Sequence, residues 1–134
     1  MRILAIDHGN ARAGCAICDP TETISRPLGV VEPPDPAEVV RVAEDEGAEL
    51  IVVGVPVSLD GVEREQAKAA REFANALRER TQVGVETYDE RLTTRMANES
   101  ARSGAGAPPD ALAAAHLLDS FMQARAARGN GGAG

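Results

Sequence analysis

Aromatic side chains are nearly missing from this chain. Two Phe, one Tyr and no Trp make up 2% of its 134 residues. A stacking platform for single-stranded bases needs several exposed rings, so that mode of binding is excluded. The core has to be built from Val, Leu, Ile and Ala instead. Lysine is equally scarce: of 14 basic residues only Lys68 is a lysine, and against 21 acidic residues the net charge is −7. A general nucleic-acid binder usually carries a basic footprint, and this chain does not. Its two cysteines, Cys15 and Cys18, have CxxC spacing but fall on a predicted strand. There, i and i+3 point to opposite faces, which rules against a shared zinc ion or a disulfide. No apolar run is long enough to span a membrane, and no secretory leader pattern is present, so a cytoplasmic location is expected. A P-loop, a dinucleotide fingerprint and a Ser/His/Asp signature are all absent.

What remains is a chain that is 43% hydrophobic and of a size for one domain with a real core. We read residues 1–127 as that domain and the Gly-rich residues 128–134 as a flexible tail. Residues 2–7 form a continuous apolar run, the signature of a buried strand. Residues 13–18 and 23–31 predict two more strands, the third an edge because it carries Pro27. Their short connections imply an antiparallel meander. Asp35 caps a helix with Pro36 at its first position, and Gly47 ends it. Residues 49–55 predict a central strand, and 62–80 a helix with Val62, Gln66, Ala69, Ala70, Phe73 and Leu77 inward. A strand at 83–89, a helix at 93–103 and a last helix at 110–127 follow. In the last, Leu112, Ala115, Leu118 and Met122 face inward, while His116, six residues after Asp110 and away from its face, is read as structural or exposed and Asp119 as surface. The fold class is therefore α/β: a mixed five-stranded sheet, antiparallel then parallel, flanked by helices.

Three carboxylates sit at predicted element ends. Asp7 closes the first strand, Glu90 follows the fifth, and Asp110 opens the last helix after Pro108-Pro109. Carboxylates gathered from distant parts of a chain are how hard divalent cations such as Mg²⁺ are held. Two such ions clamp the attacking and leaving oxygens of a phosphodiester. The residues therefore point to a metal-dependent nuclease with Asp7, Glu90 and Asp110 as its metal-binding and catalytic set, using Mg²⁺. Gly9 permits close backbone approach to a ligand in the turn that ends at Arg12. Ser58 lies in the loop after the central strand. Asp89 and Glu90 point opposite ways on a strand, which selects Glu90 as the inward ligand. Arg91, Thr93, Thr94, Arg95 and Arg102 follow, and the arginines share one face if a helix begins at Arg91. Arg12, Arg91, Arg95 and Arg102 are the expected phosphate contacts.

The segments AIDHGNARAG, VVGVPVSLDG, DERLTT and DALAAAHLLDSF, in this order and spacing, resemble the YqgF family, also called RuvX, over residues 1–124. The resemblance implies an RNase H-like fold and a Mg²⁺- or Mn²⁺-dependent phosphodiester hydrolase. It also implies a role in processing the 5′ end of pre-16S rRNA during ribosome biogenesis, with nucleic acid as partner. The family's acidic positions match Asp7, Glu90 and Asp110. Where its first motif usually carries an aromatic, Thr and Lys, this chain has His8, Asn10 and Ala11. The loop at 103–109, usually Lys-rich, has no charge here. Structured RNA is the expected substrate and a branched DNA junction the alternative; a non-catalytic rRNA or ribosome-assembly module is a further one. An actin-like ATPase is disfavoured, since that fold places two such domains around one nucleotide. A monomer or homodimer is expected.

Overall fold

Ile3, Leu4, Ala5 and Ile6 are consecutive and apolar, so a strand built from them needs cover on both faces. The computed structural model, which describes residues 1–58, 60–92 and 106–132, provides it. Strand β1 (Ile3–His8) lies in the middle of a five-stranded sheet of order β3-β2-β1-β4-β5. Strands β2 (Ala13–Cys18) and β3 (Ser25–Val31) complete an antiparallel meander with it. Strands β4 (Leu50–Val55) and β5 (Gly84–Asp89) add on its other side in parallel. The expected mixed sheet is thus observed. Pro27 sits on β3, which pairs only with β2, where a missing N–H is tolerated.

Helices cover both faces. Helices α1 (Pro36–Glu46) and α2 (Glu65–Arg80) pack on the side shared by Leu4, Ile6, Ile51 and Val53. Helix α3 (Pro109–Gly132) packs on the side of Ile3, Ala5, Leu50 and Val52. The scarce aromatics are divided between the layers, Phe73 on the α1/α2 side and Phe121 under α3. Cys15 and Cys18 are free and buried on opposite faces, as strand alternation requires. Among the described residues no helix is long and apolar enough to cross a membrane.

Helix α1 has the predicted caps: Ala37 N–H donates to the Asp35 carboxylate at 3.0 Å, and Gly47 ends it at φ 68°. Elsewhere local polar chemistry moves the boundaries. Strand β3 begins at Ser25 rather than 23, because the Asp19 carboxylate accepts from the N–H groups of Thr23 and Ile24 at 2.7 and 2.8 Å. Those bonds hold the segment in a loop. Helix α2 begins at Glu65 rather than 62, because Asp60 takes the Val62 N–H at 3.0 Å and Ser58 in turn. Val62 and Gln66 are therefore exposed, and the buried stripe is Ala67, Ala70, Phe73, Ala74 and Leu77. Helix α3 runs to Gly132, past 127 and into the segment read as a tail. Its buried face includes Ala111, Ala114 and Leu117, while Leu112 is only half-buried. Asp119, read as surface, is 5% exposed and accepts from Ser25 Oγ at 2.6 Å, tying α3 to β3. The helix expected at 93–103 lies outside the described residues.

One close approach seats α3. A Cβ built on Gly14 of β2 would fall 2.0 Å from the Asp110 carbonyl oxygen and 2.3 Å from its carbon. Only glycine lets the start of this helix lie directly on the strand. Gly14→Ala should therefore push α3 off the sheet and cost about 1–3 kcal/mol, the usual penalty of overpacking. Urea denaturation measures it, and wild-type stability would show that the helix start shifts freely.

Candidate active site

Side chains alternate along β1, so Asp7 points to the same side as Ile3 and Ala5, toward α3. In register, Asp7 faces Gly14 of β2. The backbone of Asp110 rests on that glycine, so the sheet contact that seats α3 also brings Asp110 beside Asp7. On the other flank, β5 ends at Asp89 and a single 3-10 turn, Glu90–Leu92, follows. The Glu90 side chain folds over Gly54 of β4, where a Cβ would lie 2.6 Å from Glu90 Oε1 and 3.0 Å from Leu117. Two glycines on neighbouring strands thus make the room that the flanking acids use.

The electrostatics follow from crowding. The Asp7 and Glu90 carboxyls are neighbours in one cleft. Burial raises the Asp7 carboxyl above its ordinary range; hydrogen bonding with Glu90 opposes this, and the charge of Asp110 adds to it. Glu90 is pushed up to about 7, first by burial and then by the charge of Asp7 beside it. Asp110 is turned outward, its Oδ2 3.4 Å from Arg12 Nη1, while Arg12 Nε donates to Glu32 at 3.0 Å.

Asp7 and Glu90 line a cleft of about 270 Å³ with Ala113, His116 and Leu117 of α3. His116, which the sequence suggests is structural or exposed, stands half-buried in the wall of the site. The signal was present in the i, i+3 spacing of Ala113 and His116, which makes them neighbours on one side of a helix. Among the described residues no three Asp, Glu, His or Cys side chains converge into a complete metal cage. The set that does converge is a pair, with Asp110 adjacent to it. Two half-buried carboxyls crowded into one cleft are a hard-oxygen donor set whose repulsion a cation relieves, so the pair fits a hard divalent cation, of the kind that takes few protein carboxylates and retains water.

The other expected site residues fall variously. Gly9 donates its N–H to the Arg12 carbonyl at 2.9 Å, closing the turn after β1. His8 points to the opposite face, its ring 4.7 Å from that of Phe73, and burial lowers its pKa. Ser58 donates to Asp60 at 2.5 Å within its own loop. Arg91 clasps Asp89, with Nη2 to Oδ2 at 2.7 Å, which holds Asp89 below the usual carboxylate range. Thr93, Thr94, Arg95 and Arg102 lie outside the described residues. A larger cleft, about 580 Å³, lies near the other end of α3, but its Arg125 is paired with Glu22 at 2.9 Å.

The family described as "RuvX: Holliday junction resolvase" matches residues 1–124. A Rhodopirellula baltica protein named "Putative pre-16S rRNA nuclease" is 38% identical, covering 96% of this chain and 80% of its own length. Proteins with the same name from Anaeromyxobacter sp. (38%, covering 93% and 98%) and Chloroflexus aurantiacus (33%, covering 96% and 90%) are similar to it as well. Among solved structures, Thermus thermophilus RuvC matches with a TM-score of 0.67 at 16% identity, covering 95% of this chain and 97% of that one. At that identity the likeness shows the fold alone, and the fold is RNase H-like. The chain belongs to the RuvX family and is a phosphodiester-hydrolysing nuclease.

Proposed function

We propose that this nuclease hydrolyses RNA with Mg²⁺ or Mn²⁺ at the Asp7–Glu90 pair, and that its substrate is the 5′ end of pre-16S rRNA. The observation that carries the reading is geometric: Asp7 and Glu90, from distant parts of the chain, line one open cleft, and the start of α3 sets Asp110 beside them. Asp7 and Glu90 would hold the ion, and Asp110 would complete its surroundings once released from Arg12. The ion, when bound, supplies charge neutralisation at the phosphate and acidifies the attacking water. Arg12, set at the rim by Glu32 and Asp110, would take a phosphate oxygen. Gly9, Ser58, Arg91, Thr93, Thr94, Arg95 and Arg102 are proposed to continue the phosphate track. The names of the relatives support RNA as substrate. The family description favours a second reading, cleavage of a four-way DNA junction.

The assay is Mn²⁺-dependent cleavage of a precursor-rRNA leader beside a four-way DNA junction. Cleavage of the RNA, lost in Asp7→Asn and in Glu90→Gln, is the expected result. Cleavage of the junction alone would move the function to the second reading, and full activity in Asp7→Asn would remove the site.

The raised carboxyls also fix a pH dependence. Glu90 binds its proton more tightly folded than unfolded, so its stabilising contribution is full below about pH 4.5 and is lost as pH rises to about 7. Without metal, the thermal midpoint should fall across that window. Asp7→Asn removes the charge opposite Glu90, so it should flatten the fall and melt higher than wild type above pH 7. Saturating Mg²⁺ should restore the wild type and not the variant. A variant that melts lower at every pH would make Asp7 a purely structural residue.

Arg95→Ala with Arg102→Ala should weaken RNA binding at low salt and reduce the salt slope by about one counterion per lost phosphate contact. Metal affinity should not change. An unaltered slope would place the substrate track elsewhere.

A further inference from the structure

Among the described residues, the carboxylate pair shares its cleft with one other polar side chain, His116, while Ala113 and Leu117 form the apolar remainder of the α3 wall. The imidazole is half-buried and, among the described residues, makes no hydrogen bond or ion pair. It completes no three-residue metal cage with the acids. It therefore borders the space next to the pair instead of belonging to the same ligand shell. That space is where a phosphodiester must lie if an ion on Asp7 and Glu90 is to reach its oxygens. Among the described residues, Arg12 beside Asp110 is already shared by two acids.

We propose that His116 is a substrate-contacting residue of the nuclease: its imidazole N–H donates a hydrogen bond to a non-bridging oxygen of the scissile phosphate, while Ala113 and Leu117 seat the adjoining sugar. Either protonation state of the ring carries an N–H, so the contact does not depend on titration. The role rests on the reading of Asp7 and Glu90 as the ion-holding pair.

The test compares wild type, His116→Leu, His116→Gln and Asp7→Asn on the precursor-rRNA leader, with Mn²⁺ affinity followed by electron paramagnetic resonance. His116→Leu should slow cleavage at saturating RNA roughly ten- to a hundredfold, the worth of one hydrogen bond to a charged group. His116→Gln keeps an N–H donor and should recover most of the rate. Mn²⁺ affinity should be unchanged in both. Sulfur in place of the contacted oxygen, at the mapped cleavage position, should slow the wild type and add nothing to His116→Leu. Wild-type cleavage by His116→Leu, or the same sulfur effect in both proteins, overturns the contact. Mn²⁺ affinity lost in step with rate overturns it too, by making His116 a metal ligand. Asp7→Asn separates the two readings: unchanged Mn²⁺ affinity there would defeat the carboxylate pair, whereas the sulfur comparison judges His116 by itself. A wild type that cleaves no RNA defeats the proposed function and this role with it.

Discussion

Everything at the active end of this protein depends on one strand, β1, that is buried on both faces and then has to end on a carboxylate. Ile3 to Ile6 are fully covered, by α1 and α2 on one side and α3 on the other. Asp7 is the next residue on the α3 side, so it emerges where that cover begins. Burial of a carboxyl with a second carboxyl beside it is unfavourable for the charged forms. The fold tolerates it because glycines at 14 and 54 open space for the neighbouring acids, and the crowding pushes the Glu90 carboxyl up to about 7. The same arrangement that stabilises least without metal is the one that would bind metal best.

Much of this was legible in the chain, and the reasons are local. A continuous apolar run marks a doubly covered strand. Asp35-Pro36 and Gly47 mark the ends of α1 with chemistry that acts within a few residues. Cys15 and Cys18 separate to opposite faces by strand alternation alone. The failures have a common cause: the partner was distant or the competing bond was a side chain's. Asp19 and Asp60 capture backbone N–H groups and shorten β3 and α2, which periodicity does not register. Asp119 reads as surface until Ser25, ninety-four residues earlier, is seen beside it. His116 reads as structural or exposed because it lies off the line of the helix through Asp110, and its place in the cleft depends on strands far away in the chain. The role of Gly54 likewise depends on Glu90, far along the chain, folding over it.

The charge of −7 sets a problem for a protein that handles a polyanion. Its arginines do little to solve it as they stand. Arg12 lies between Glu32 and Asp110, Arg91 on Asp89, Arg71 on Glu63 and Arg125 on Glu22. Exposed pairs of this kind contribute about 0–1 kcal/mol each, so they are exchangeable, but a phosphate that takes the arginine leaves an acid nearby without its cation. A divalent ion at the pair removes the central repulsion in one step, and it is the strongest source of positive charge available to this surface.

Arg12 links the two problems. Its partner Asp110 is the acid next to Asp7, so an ion that draws in Asp110 also loosens Arg12 for a phosphate. The gain is partly offset, because Glu32 keeps its own hold on the guanidinium at 3.0 Å. A donor outside any ion pair faces no such competition. His116 has no ionic partner among the described residues, so a phosphate entering its cleft breaks no ion pair to reach it. On an acidic surface, contacts that need no displaced acid favour binding more per hydrogen bond than additional arginines do. That is the physical case for an imidazole in the wall of a carboxylate cleft.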